Sequence, residues 1–217
     1  MTRLAAPRLI AQYQPEPYLH SKPSPVPLPL SQLLRASTEL AHKEVELRLG
    51  LPGSIQSVSD YQVCLLRFYQ LYRPMEIQFQ RFSEWTAAGL DSSVCSLSAR
   101  LAADLKGLTV SIPHIPYAPA TSLPPLRDFA GALGACYVME GSALGSQFML
   151  PQLQRTLGDQ ITGADTFFRG RGADTRAFWK GFRAALDLYG DNHPEQTSSV
   201  VSGAIDTFEA IGLWMRP

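Results

Sequence analysis

Between Phe129 and Leu150 the chain carries one charged side chain, Glu140, and neither a proline nor a turn dipeptide. A run of this length and makeup reads as helix, and long side chains such as Met139 and Leu144 suit that state. It nevertheless contains Gly131, Gly134, Gly141 and Gly145, and each glycine inside a helix costs about 1 kcal/mol relative to alanine. Helical spacing places Gly134, Gly141 and Gly145 along one face, which is nearly bare of side chains. Three uses of such a face compete. Two helices can pack closely through small residues. A membrane helix can use Gly-x-x-x-Gly spacing, although Glu140 in mid-run and the lack of a positive flank argue against it. A flat ligand can lie against exposed backbone.

The chain has 217 residues, 45% apolar and 18% charged, enough for one domain with a substantial core. Lys+Arg and Asp+Glu balance at 19 each, so overall charge points neither to nucleic acid nor to a membrane surface. Cys64, Cys95 and Cys136 are odd in number, widely spaced and without Cys-x-x-Cys spacing. Neither a disulfide framework nor a zinc site is implied, and a reducing cytoplasm is expected. No signal-peptide apolar core marks the start.

Residues 1–30 hold Pro7, Pro15, Pro17, Pro23, Pro25, Pro27 and Pro29. Alternating proline forbids helix and favours an extended arm, so residues 1–30 are expected to be an extension and 31–217 the domain. Ser31 offers an N-cap for a helix over 31–49, closed by Gly50-Leu-Pro-Gly53. A long segment over 59–90 has Tyr61, Leu65, Phe68, Leu71 and Tyr72 at helical spacing, with Pro74 marking a kink or break. A short helix is expected over 92–105 and a proline-rich connection over 107–125. The glycine-bearing helix runs to Leu157, with a break expected at Pro151. Further helices are expected over 174–189 and from Asn192 to Trp214. There is no period-two alternation and no repeat, so the chain reads as all-α.

A flat ligand needs a holder opposite the bare helix. Of four histidines, only His42 sits inside a helix. Arg35, Thr38, His42 and Leu49 share its face, and Glu46 lies one turn on, within reach of the imidazole's second nitrogen. A surface histidine and a solvated Glu46–Lys43 pair remain the plainer alternatives. Arg155, Arg169, Arg171, Arg176, Lys180 and Arg183 outnumber Asp159, Asp165 and Asp174, which suits an anionic ligand edge or an acidic partner as well as a solvated face. A helical histidine, a glycine-bared helix and local basic residues together describe a site for haem.

The ordered motifs after residue 30 resemble the biliverdin-producing haem oxygenases of bacteria, in the branch often found beside bacterial phytochromes. Leu34 to Glu46 is similar to the family's proximal helix, and Tyr69-Gln-Leu-Tyr-Arg-Pro-Met-Glu76 to its Pro-x-Glu segment. Asp104-Leu-Lys-Gly-Leu108 resembles the element before the distal region, and Tyr137-Val-Met-Glu-Gly-Ser-Ala-Leu-Gly-Ser-Gln147 the distal signature. Phe167 to Gly172, Phe178-Trp179 and Thr207 to Trp214 complete the series.

The resemblance implies a single-domain helical bundle with haem between a proximal and a distal helix. It implies His42 as the iron ligand and Glu46 as its hydrogen-bonded carboxylate. It also implies Arg35, Lys180 and Arg183 at the propionate edge, and Gly141 and Gly145 as the distal backbone. Ser146 departs from a second adjacent glycine found in many members, and Ser142 from an aspartate of animal relatives that organises distal water. The implied reaction uses O₂ and electrons to cut haem at a meso carbon, releasing biliverdin, CO and Fe²⁺. No flavin or nicotinamide fingerprint is present, so an external donor such as ferredoxin is expected, docking on the basic patch with Arg171 and Arg176. A bacterial phytochrome is an expected acceptor of biliverdin, and neither nucleic acid nor membrane is an expected partner. A haem-trafficking module on the same fold and a purely structural all-α protein are the alternatives.

Overall fold

The computed structural model describes residues 28–91, 94–112 and 115–215. Among them are seven α-helices and no strand: α1 Leu30–Leu49, α2 Val58–Phe79, α3 Ser98–Gly107, α4 Phe129–Leu157, α5 Thr166–Arg169, α6 Thr175–Asn192 and α7 Thr197–Trp214. The expected arm over residues 1–30 falls outside the described residues except for its end. No helix among the described residues is long and apolar enough to cross a membrane. The apolar glycine-bearing run is therefore a core helix.

α7 is the spine of the bundle. It packs along α4 on one side and along α1 on the other, while α1 and α4 barely touch each other. The α4–α7 crossing uses glycine on both helices. A Cβ on Gly134 would lie 1.9 Å from the Val200 carbonyl oxygen, and one on Gly203 would lie 2.2 Å from that of Gly131. Close packing is therefore the correct account of Gly134, which does not share an open face with Gly141 and Gly145.

Helix ends differ from the sequence expectations for identifiable reasons. Ser31 is not an N-cap; α1 starts one residue earlier behind Pro29. The Ser31 amide and hydroxyl instead donate to Asp187 of α6, at 2.7 and 3.1 Å, so a distant carboxylate caps the helix. α2 begins with a reciprocal capping box between Ser57 and Asp60 and ends at Phe79, well short of Leu90. Pro74 does not break it. Proline leaves the Gln70 carbonyl without a helical donor, and the Ala118 amide takes that place at 2.9 Å. The proline-rich connection is thus the partner that makes Pro74 tolerable. Pro151 likewise lies inside α4, which is continuous.

Two sequence motifs prove to be buried caps. Glu76 accepts the Ser98 amide at 2.7 Å, and its other oxygen accepts the Ser98 hydroxyl, closing the start of α3. Asp104, fully buried, accepts the Thr166 amide and hydroxyl and the Phe167 amide at 2.9, 2.6 and 2.8 Å. It thereby fixes α5 onto α3. Removing such a carboxylate strands several buried donors, each worth about 1–3 kcal/mol.

The cysteine reading is corrected. Cys95 and Cys136 form a disulfide with Cα atoms 6.0 Å apart, joining the segment before α3 to α4. Both are buried and distant in sequence, which composition alone does not show. The cysteines therefore lend no support to a reducing compartment. Cys64 stays a free, buried thiol, pushed up to about 12 by burial.

Candidate functional site

α1 carries His42 and Glu46 one turn apart, with His42 beside α7. Their side chains are 54% and 58% exposed, with His42 Nε2 3.6 Å from Glu46 Oε1. The separation is that of an ion-pair contact and exceeds a direct hydrogen bond. The imidazole meets the Phe208 ring of α7 edge-on, with centroids 5.5 Å apart. Phe208 thus supports one flank of the histidine.

On α4, Gly145 faces open space, since an added Cβ would meet nothing within 4 Å. A Cβ on Gly141 would only graze Trp179 of α6, at 3.6 Å. These two glycines are therefore not spent on helix packing. Their exposed backbone and the His42 face of α1 are carried by the same spine, α7, and are kept apart because α1 and α4 do not close on each other.

Tyr137 of α4 lies near Thr38 of α1, and its ring lies against Trp179 of α6, with centroids 5.5 Å apart. Burial pushes its phenol up, opposed by the nearby guanidiniums of Arg183 and Arg35 and by Thr38. Arg35 of α1 and Arg183 of α6 thus both act electrostatically on this tyrosine. Lys180 stands one turn before Arg183 on α6 and is exposed, as is Arg176. Tyr137 and Trp179 were legible only as members of motifs; no spacing rule singled them out as wall residues.

Ser142 is more constrained than expected. Its hydroxyl donates to the Met139 carbonyl at 2.6 Å. A serine has one proton to give, so the Tyr72 phenol, 3.2 Å away, is the donor to Ser142. Tyr72 is fully buried, which pushes its phenol up and keeps it a neutral donor. Ser142 and Tyr72 thus form a preset acceptor and donor behind Gly141. Ser146, at the position where a second glycine was the comparison, turns inward. It donates to the Ala143 carbonyl at 2.9 Å and approaches that of Phe168 at 3.3 Å.

The basic patch divides in two. Arg171 is not free to dock a partner: it donates to Glu140 at 2.9 Å and to the Val94 carbonyl at 3.0 Å, and its guanidinium covers the Phe178 ring at 3.6 Å. Arg169 is engaged by Asp165 at 2.6 Å. Arg176, Lys180 and Arg183 remain exposed on α6.

Comparison with curated proteins finds no match. The family model described as Heme oxygenase matches residues 28–216, which takes in every helix from α1 to α7. The chain belongs to the heme oxygenase family, whose members bind and degrade haem.

Proposed function

We propose that the chain cleaves haem at a meso carbon with O₂ and external electrons, yielding biliverdin, CO and Fe²⁺, and that it belongs to the bacterial, phytochrome-associated branch. The observation that carries this reading is the pairing of an outward His42 with glycine backbone left open at Gly141 and Gly145, on two helices held apart by α7. Haem is the substrate and brings the iron at which O₂ is reduced. The protein's share is to seat and orient it.

His42 would hold the haem iron, and Glu46, one turn on, would fix the imidazole tautomer and strengthen the ligand. Arg35, Lys180 and Arg183 would hold the propionates; the guanidiniums of Arg183 and Arg35 already act on Tyr137, opposing the rise of its phenol. Gly141 and Gly145 let backbone approach the distal face, where the absence of side chains at those two positions leaves room for O₂ at one haem edge. Ser142, with its proton committed to Met139 and its oxygen receiving Tyr72, offers one remaining lone pair there. It serves as an acceptor that holds water, in place of a carboxylate.

Titration with hemin tests the ligand assignment. Wild type is expected to give a Soret complex with histidine ligation, lost in His42→Ala and restored by added imidazole. An unchanged spectrum in His42→Ala rejects His42 as the ligand. For the donor, exposed Arg176 is the docking residue, because Arg171 is internally committed and Lys180 is assigned to the propionates. Charge reversal at Arg176 is expected to raise the KM for a ferredoxin several-fold at low salt and by less at high salt, with hemin affinity unchanged. No change at either salt concentration rejects that surface. Cytoplasmic placement and delivery of biliverdin to a phytochrome belong to the same proposed reading.

A further inference from the structure

Glu140 is not used by the mechanism above, yet it is the acidic residue buried inside the distal helix. It is 3% exposed and immediately precedes Gly141. A carboxylate taken out of water costs several kcal/mol unless it is paired. Its partner is Arg171, in the turn between α5 and α6, at 2.9 Å.

Among the described residues this is the one buried ion pair joining α4 to another element. Arg171 is held on two further sides, one of them tied to the disulfide. It donates to the Val94 carbonyl, it covers Phe178 of α6, and Val94 adjoins Cys95, which is bonded to Cys136 one turn before Glu140. The path from Cys136 through Cys95, Val94, Arg171 and Glu140 back to α4 is a closed ring. It locks the α5–α6 turn in register with the distal helix. Gln147 and Ser146 also tie these parts: Gln147 donates to the carbonyls of Arg169 and Gly172 at 3.2 and 3.1 Å and to the Thr175 hydroxyl at 2.5 Å, and Ser146 approaches the Phe168 carbonyl at 3.3 Å. Those bonds are neutral, so the charged tie is the Glu140–Arg171 pair.

We infer that the Glu140–Arg171 pair is a positioning device: it sets where α6, with Trp179, Lys180 and Arg183, stands relative to Gly141 and Gly145, and so selects the in-plane seating of the haem. The inference rests on the proposed haem-binding reading. Both propionates lie on one edge of haem, so a shift of the propionate-holding wall against the distal wall turns the haem within its own plane. A different meso carbon is then presented to the distal side.

The pair also responds to pH. Burial pushes the Glu140 carboxyl up to about 7, opposed by Arg171 and then Arg100, with Glu76 raising it. The groups facing it are Arg171 from the α5–α6 turn, Arg100 from α3, and Glu76 and Tyr72 from α2. Arg171 also borders an open groove of about 380 Å³ with Leu90, Val94, Phe178 and Phe182, which gives protons access. As pH falls through about 7, Glu140 becomes neutral and its hold on Arg171 weakens.

The test reads haem seating without turnover. The cyanide-ligated ferric complex shows paramagnetically shifted haem-methyl protons, and their pattern reports seating by NMR. Between pH 8.5 and pH 5.5 the wild-type ratio of seatings is expected to change by about tenfold, equal to about 1.4 kcal/mol. Glu140→Gln is expected to hold the low-pH ratio at both values. The double variant Glu140→Met with Arg171→Met removes both charges together, which cores tolerate better than losing one partner, and is expected to match Glu140→Gln. If both variants keep the wild-type pattern and its pH dependence, the inference is wrong while haem binding stands. If wild type forms no hemin complex, both fall. Under turnover the biliverdin isomer ratio follows the seating; a wild type that binds but does not cleave overturns only the proposed reaction.

Discussion

Gly134→Ala is expected to unfold the protein at temperatures where Gly145→Ala leaves it intact. Both substitutions add one methyl to the same helix, and intrinsic propensity favours both by about 1 kcal/mol. At position 134 the methyl would sit 1.9 Å from the Val200 carbonyl oxygen and 2.8 Å from the Ala204 amide nitrogen. These are backbone atoms of α7, so no rotamer change relieves the overlap and the two helices must separate. Because α7 also carries α1, the separation is felt across the core. The expected loss exceeds about 3 kcal/mol, the upper part of the range for overpacked cores, or roughly 10 °C in Tm for a domain of this size. At position 145 nothing lies within 4 Å, so alanine should raise Tm slightly. Gly145→Leu should also fold but lose hemin binding, since its side chain enters the proposed slot. Thermal denaturation of the 134 and 145 variants side by side separates packing glycines from site glycines. Equal losses at both positions contradict the division made here.

Breaking the Cys95–Cys136 bond is the second large effect. The bond closes a loop across a sequence separation of 41, and chain-entropy reasoning assigns such a loop about 4 kcal/mol. Both sulfurs are buried, and Cys95 adjoins the carbonyl that Arg171 grips, so the segment before α3 should loosen together with the Glu140–Arg171 pair. Two measurements check this. Thiol titration of protein purified without reductant and then denatured should find one free thiol, Cys64, out of three cysteines. Denaturant unfolding with and without a dithiol reductant should show the lower midpoint under reduction. Three reactive thiols, or identical midpoints, contradict the bond or its weight.

The lessons for sequence reading follow from particular residues. All six long helices, α1 to α4, α6 and α7, were visible, because apolar spacing and the lack of alternation report local geometry directly. Their ends were less legible because distant groups decide them. Asp187 caps α1, so Ser31 looked like a cap and was not. Ala118 satisfies Gln70, so Pro74 looked like a break and was not. The short α5 depends on Asp104 across the chain and gave no local periodicity.

For the proposed site, helical spacing put Glu46 one turn after His42, as the structure has them, and the cost of glycine in a helix drew attention to Gly141 and Gly145, whose added Cβ would meet little or nothing. The same reasoning placed Gly134 with them, because spacing tells which residues share a face but not what faces them. The disulfide and the Glu140–Arg171 pair went unread for a related reason. Each joins positions 31 to 41 residues apart that carry no shared pattern. Arg171 was expected on the surface as part of a basic run, and burial of Glu140 is what draws it inward.

The most direct test of the central claim is an absorption time course. Purified protein with one equivalent of hemin, a ferredoxin-based electron source and O₂ is followed beside His42→Ala, in the presence of catalase. Decay of the Soret band into a biliverdin spectrum in wild type, and not in the variant, is the predicted result. A hemin complex whose spectrum survives reduction in air would contradict cleavage and leave a haem carrier.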